Sequence, residues 1–137
     1  MPVDAVADLT KGQRSELVEL YQHEWWTEGR EREDVDRMLD ASDVVVGLVD
    51  SASGALVAFA RALTDGVYKA LVFDVIVAGG RRGGGLGERL MEELVNHPML
   101  APIEHIELYC LAELVPFYER WCFSDDLGEF QLLRREA

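Results

Sequence analysis

The sequence predicts an α/β fold in which a central mixed sheet is flanked by about four helices. Three features predict it. Two segments near the amino terminus repeat apolar residues at helical intervals, and apolar runs separated by short turns then follow, as in an antiparallel meander. The remainder alternates strand, glycine loop, helix, strand and helix, an order that calls for a parallel crossover.

Each element has its own signal. Thr10 and Gln13 stand at capping-box spacing ahead of Leu17, Leu20, Tyr21 and Trp25, so a first helix is expected over 11–25. A second, over 31–41, turns Val35, Met38 and Leu39 inward and closes at Ser42-Asp43. The runs VVVGLVD (44–50) and ALVAFARAL (55–63) flank Ser51 to Gly54, whose residues suit a hairpin. Asp65-Gly66 marks the next turn, and KALVFDVIV (69–77) is the third strong strand. A helix over 85–96 ends before Pro98. A strand over 103–110, a short helix over 113–121 and a closing strand over 129–135 complete the order. A chain of 137 residues can bury roughly two thirds of the surface it exposes when unfolded, enough for one core, so a single domain over 1–137 is expected.

The stretch most informative about function joins the strand 69–77 to the helix after it. Glycines at 79, 80, 83, 84, 85 and 87 allow backbone N–H groups to approach a ligand closely, and the following helix adds unpaired amides at its first turn. Such a loop suits phosphate. A P-loop is excluded because Gly87 is followed by Glu88 and Arg89, with no lysine for terminal phosphates and no hydroxyl for magnesium. The dinucleotide fingerprint fails at its third glycine, where Leu90 stands. What the spacing fits is Arg82-Gly83-Gly84-Gly85-Leu86-Gly87, an R-x-x-G-x-G pattern directly after an apolar strand.

That pattern resembles the acetyl-CoA loop of the GNAT N-acetyltransferase superfamily. A second segment, LVPFYERWCF at 114–123, is similar to the same family's tyrosine-bearing segment, with Tyr118 in the tyrosine's place. The resemblance implies the GNAT-like acyl-CoA N-acyltransferase fold, with acetyl-CoA as co-substrate and no metal; for that fold's first strand only Val3 to Val6 is available, so the amino-terminal edge is expected to be trimmed or very short. It implies that the backbone of Val75, Ile76 and Val77 holds the pantetheine arm and polarises the thioester carbonyl. The amides of Arg82, Gly83, Gly84, Gly85, Leu86 and Gly87 would then take the pyrophosphate. Three positions depart from the family pattern: Gly79 for proline, Arg81 for an aromatic, and Cys122 for a glycine that often adopts a conformation a side chain resists.

An amine attacks only in neutral form, so a base or proton relay is expected. Asp74 is the best single candidate, lying inside Val72-Phe73-Asp74-Val75-Ile76 beside the expected carbonyl position. Its alternative is a structural aspartate that ties down a loop or an arginine. Tyr118 is the candidate acid for the departing thiolate. By the resemblance, the segment between the first two helices and the hairpin strands line the acceptor pocket, which points to Trp25, Trp26, Phe59, Arg61 and Tyr109. Aromatic walls favour an apolar or aromatic amine, such as an arylalkylamine, whose ammonium they can hold by cation–π contact, while polyamines, aminoglycosides, amino acids and protein amino termini stay open. The run ARALTDGVYKALVFDVIV also resembles small GNAT proteins grouped with serotonin-type acetyltransferases.

Charge and composition exclude several classes. At a net charge of −13 without a basic run, the chain is not expected to bind nucleic acid, and Arg81 and Arg82 form a local positive spot in a negative surround. No window reaches the roughly 20 apolar residues of a membrane span, so no membrane partner is expected. The amino terminus has no leader pattern, and a cytoplasmic location is the expectation. Cys110 and Cys122 lack metal-site spacing and are expected to be buried thiols. The family often forms homodimers, and no sequence feature marks an interface. A non-catalytic acetyl-CoA-binding module is the alternative from a different functional class.

Overall fold

The computed structural model describes residues 2–137. Five strands form one sheet in sequence order: β1 (Val3–Val6), β2 (Val44–Asp50), β3 (Leu56–Thr64), β4 (Lys69–Val77) and β5 (His105–Leu108). Neighbours run antiparallel except β4 and β5, which are parallel. The helices are α1 (Lys11–Gln22), α2 (Arg32–Ala41), α3 (Leu86–Val95) and the short α4 (Val115–Glu119). The short amino-terminal strand is therefore present, and the mixed sheet is as expected.

Local chemistry sets these boundaries. Thr10 and Gln13 form the full reciprocal capping box that their spacing announces. The helix stops at Gln22, three residues before Trp25, because Thr27 turns back to donate its hydroxyl to the Tyr21 carbonyl (2.9 Å) and Gln22 spends its side chain on the amide of Gly29 and the carbonyl of Arg30. Ser51 to Gly54 makes the hairpin, with the Asp50 carboxylate taking the Ala52 amide. Asp65 receives the amides of Val67, Tyr68 and Lys69, fixing the turn into β4.

Each face of the sheet carries its own core. On one face Leu17, Tyr21, Val35 and Leu39 of α1 and α2 pack on Phe59 and Ile76. On the other, Leu86, Leu90, Met91 and Leu94 of α3 pack with Tyr118 on Val46, Ala58, Ala60 and Val72.

A β-bulge in β4 decides which side chains reach which face. Phe59 pairs with Ile76 and Arg61 with Phe73, so Asp74 and Val75 together oppose Ala60. Asp74 takes the left-handed conformation, φ 58°, that lets the extra residue fit. Before the bulge Ala70 and Val72 face the α3 side; after it Val75 and Val77 do, and Ile76 faces α1. One extra residue has exchanged the faces.

Three expectations change. The strand expected over 129–135 does not form: the segment makes no ladder, and Phe130, Leu132 and Leu133 are exposed. A strand needs a partner's backbone, and the outer edge of β5, the neighbour at this end of the sheet, is only four residues long. The two cysteines are exposed thiols, not buried ones. Phe59, expected to line an acceptor pocket, is fully buried against Tyr21 (ring centroids 6.4 Å) and belongs to the core.

Candidate active site

The parallel pair β4 and β5 holds together only from Lys69–His105 to Val72–Leu108. From Phe73 onward β4 has no partner on that side, so the edge from Phe73 to Val77 is open. This opening begins at the bulge. It places the backbone of Val75, Ile76 and Val77 along an unpaired edge leading into the glycine loop.

The loop is shaped as an anion cradle. A single 3-10 turn (Gly79–Arg81) precedes it, and Gly83 and Gly85 adopt φ of 84° and 80°. Gly85 is the N-cap of α3 and supplies no side chain to its first amides. At Gly87 a Cβ would come within 3.2 Å of Phe117 Cζ, so glycine also permits α3 to sit against the segment that carries Tyr118. A cleft of about 470 Å³ opens here between Val77, Arg82, Gly83, Gly85, Gly87 and Phe117. A cavity of similar size, about 460 Å³, lies between Asp8, Arg14, Asp40, Asp43 and His97 and shares no residue with the loop.

The arginines of the loop are already engaged. Arg82 donates to Glu24 (2.7 Å) and Arg81 to Asp50 (2.9 Å), whose carboxyl is held below its ordinary range by the Arg81 guanidinium and by the amides of Ala52 and Ser53. The positive spot in the sequence is thus neutralised by carboxylates supplied from α1's end and β2.

Asp74 is the hub of the opposite side. Its Oδ2 accepts from Arg61 Nε (2.8 Å), Arg30 Nη1 (2.9 Å) and the Tyr21 hydroxyl (3.0 Å). The side chain is 4% exposed. Arg30 also stacks on the Tyr21 ring (4.7 Å) and Arg61 on the Phe73 ring (4.6 Å). Burial, with the Asp74 charge second, pushes the Tyr21 phenol up, so it stays a donor. Of the two readings open to Asp74, this geometry favours the one in which it ties an arginine-bearing loop to the strand.

That loop carries the two tryptophans. Residues 23–30 are held at one end by Glu24 on Arg82 and at the other by Arg30 on Asp74, and between these ties Trp25 is 75% exposed and Trp26 40%. Tyr109, beyond β5, is exposed and meets Phe73 edge-on at 6.2 Å. Arg61 is not a free charge, since its guanidinium is spent on Asp74. Tyr21, Glu24 and Arg30 escaped sequence reasoning because Tyr21 reads as a core aromatic and the other two sit in a run of mixed charge that names no partner.

Tyr118 is buried, edge-on to Phe117 (5.0 Å) and Phe123 (6.1 Å). Among the described residues its hydroxyl has no hydrogen-bond partner. Burial, with the Cys110 thiol second, pushes the phenol up to about 12. Cys122 does take the conformation its place required of glycine, φ 68°.

A mixed sheet whose one parallel pair stops at Val72–Leu108, leaving an open β4 edge that runs into a glycine loop, is the arrangement of the acyl-CoA N-acyltransferase class. The profile of the Acetyltransferase (GNAT) family matches residues 9–122, and the chain belongs to that family. It is 43% identical over 100 residues to a protein named serotonin N-acetyltransferase 2, chloroplastic, from Oryza sativa subsp. japonica, covering 71% of this chain and 50% of that one. It is 30% identical over 113 residues to an uncharacterized N-acetyltransferase, ycf52, from Porphyra purpurea, covering 81% and 64%. The chain thus spans half to about two thirds of the length of these curated relatives. A GNAT-family protein from Xanthomonas campestris pv. campestris superposes with a TM-score of 0.84 at 27% identity, over 100% of this chain and 94% of that one.

Proposed function

We propose that the chain moves the acetyl group of acetyl-CoA to the primary amine of a small molecule, an aromatic alkylamine being the acceptor the site suits best. The observation that carries this is the open β4 edge from Phe73 to Val77, running straight into the cradle at 82–87. An extended arm with amides pairs with such an edge as a strand would, and the cradle accepts the pyrophosphate at its end. The positive φ of Gly83 and Gly85 and the bare N-cap of α3 fit a phosphate group. Acetyl-CoA supplies an acyl group activated as a thioester.

The chain's own groups then divide the work. The backbone of Val75, Ile76 and Val77 holds the arm and polarises the carbonyl. Asp74 positions: by holding Arg30 and Arg61 it fixes both the bulge and the tryptophan loop, and the amine loses its proton to solvent relayed along the open β4 edge. Tyr118 donates to the sulfur as the C–S bond breaks. Trp25, Trp26 and Tyr109 offer exposed rings to the acceptor. The likeness to a protein named serotonin N-acetyltransferase points the same way.

The test is release of free CoA thiol over a panel of tryptamine-like amines, polyamines, amino acids and a lysine peptide. Aromatic alkylamines should give the highest kcat/KM. Stabilisation by acetyl-CoA with no release for any amine would make the chain a binding module instead, and equal stabilisation by ATP, NAD and acetyl-CoA would remove the CoA assignment.

A further inference from the structure

The cleft beside the glycine loop is also lined by Glu88, a carboxylate in the first turn of α3. An acidic side chain in a phosphate cradle demands an explanation. Glu88 Oε1 takes Arg120 Nη2 at 2.9 Å, and its Oε2 lies 3.8 Å from the point where a Cβ on Gly85 would stand. Its carboxyl is held below the ordinary range by its own backbone N–H first and by Arg120 second. The carboxylate therefore turns back onto its own amide in the first turn of α3, one of the unpaired N–H groups at the helix start that the loop opens onto.

Arg120, the partner of Glu88, lies outside the cleft's own lining. It sits just past α4 with its guanidinium over the rings of Phe117 (5.1 Å) and Trp121 (4.8 Å), and Phe117 lines the same cleft. The guanidinium rests on these rings and pairs with Glu88, the residue that does line the cleft. Around the cleft every arginine carries a carboxylate: Arg81 has Asp50, Arg82 has Glu24 and Arg120 has Glu88. Asp50 and Glu24 approach from outside the cleft's lining. Glu88 alone among these acids lies within it.

We infer that Glu88 is an internal stand-in for cofactor phosphate and that Arg120 is a phosphate-binding residue, released to the cofactor when Glu88 is displaced. This rests on the acetyl-CoA reading above. Binding exchanges one anion for another on Arg120, and part of the binding free energy goes to moving Glu88 aside. Arg120 then adds a cation that the R-x-x-G-x-G pattern does not contain.

The experiment is calorimetric titration of acetyl-CoA and of pantetheine, which has no phosphate, into wild type, Glu88→Gln, Arg120→Gln and the double variant. Both side chains are about half exposed, so folding is not at risk, and melting temperatures verify it. Glu88→Gln should tighten acetyl-CoA about fivefold, the combined effect of removing an anion near the helix start and freeing the arginine, and leave pantetheine unchanged. Arg120→Gln should weaken acetyl-CoA, and in the double variant most of the gain from Glu88→Gln should vanish. Unchanged or weaker acetyl-CoA binding by Glu88→Gln, or equal tightening of pantetheine, overturns the inference while wild-type binding keeps the acetyl-CoA reading intact. No binding of acetyl-CoA by wild type overturns both.

Discussion

Replacing Tyr118 with phenylalanine should slow acetyl transfer by one to two orders of magnitude while leaving acetyl-CoA affinity within about twofold, a size set by the phenol's surroundings. It is buried and pushed up to about 12, so at neutral pH it carries its proton, as a donor must. It is also a weak acid. A thiol titrates near 8.5, so complete transfer to the leaving sulfur would run uphill by about 3.5 pH units, roughly 5 kcal/mol. The phenol's contribution is then a hydrogen bond to charge developing on sulfur, about 1.5–3 kcal/mol, and each 1.36 kcal/mol is about tenfold in rate. The larger factors of full acid catalysis are not expected. Phenylalanine keeps the edge-on packing against Phe117 and Phe123, and because the hydroxyl has no partner among the described residues, its loss orphans no buried group. Thiol release at saturating amine and acetyl-CoA gives kcat; calorimetry gives affinity. An unchanged kcat would remove Tyr118 from the chemistry, and equal losses in rate and affinity would make its role purely structural.

Other consequences can be measured directly. Asp74→Asn keeps a residue that tolerates φ 58° but leaves two guanidiniums without their carboxylate. Unfolding in urea should show about 2–3 kcal/mol lost, below the full cost of breaking a buried pair because Arg30 is partly exposed, with kcat falling further as the tryptophan loop loosens. Stability should also fall in alkali. The Tyr118 phenol titrates higher folded than unfolded, so its contribution is whole below pH 10 and is lost as the unfolded chain ionises between about 10 and 12, roughly 3 kcal/mol in all. Urea midpoints at pH 9 and 11.5 test this, and Tyr118→Phe should lessen the drop.

Much of this architecture is legible in the sequence where one local signal dominates. The β4 boundaries, the capping box at Thr10 and the cradle at 82–87 follow from periodicity and glycine spacing, and Cys122 was marked by the conformation its position demands. What escapes depends on tertiary partners. The bulge at Asp74 is invisible in VFDVIV because an extra residue shows itself only against the opposite strand. Asp74 itself is fixed by arginines 13 and 44 residues away. Phe59 has the composition of a pocket wall, and only the packing of Tyr21 shows that it faces the core. The 129–135 segment has strand character but pairs with none of the sheet's open edges.

The central claim is that acetyl-CoA lies along the open β4 edge with its phosphates at the glycine loop. Amide hydrogen exchange with and without acetyl-CoA tests it most directly. The account predicts slowed exchange at Val75 to Val77 and at Arg82 to Gly87, and little change around Asp8, Asp40 and His97. Protection at that second cavity, with none along β4, would contradict it.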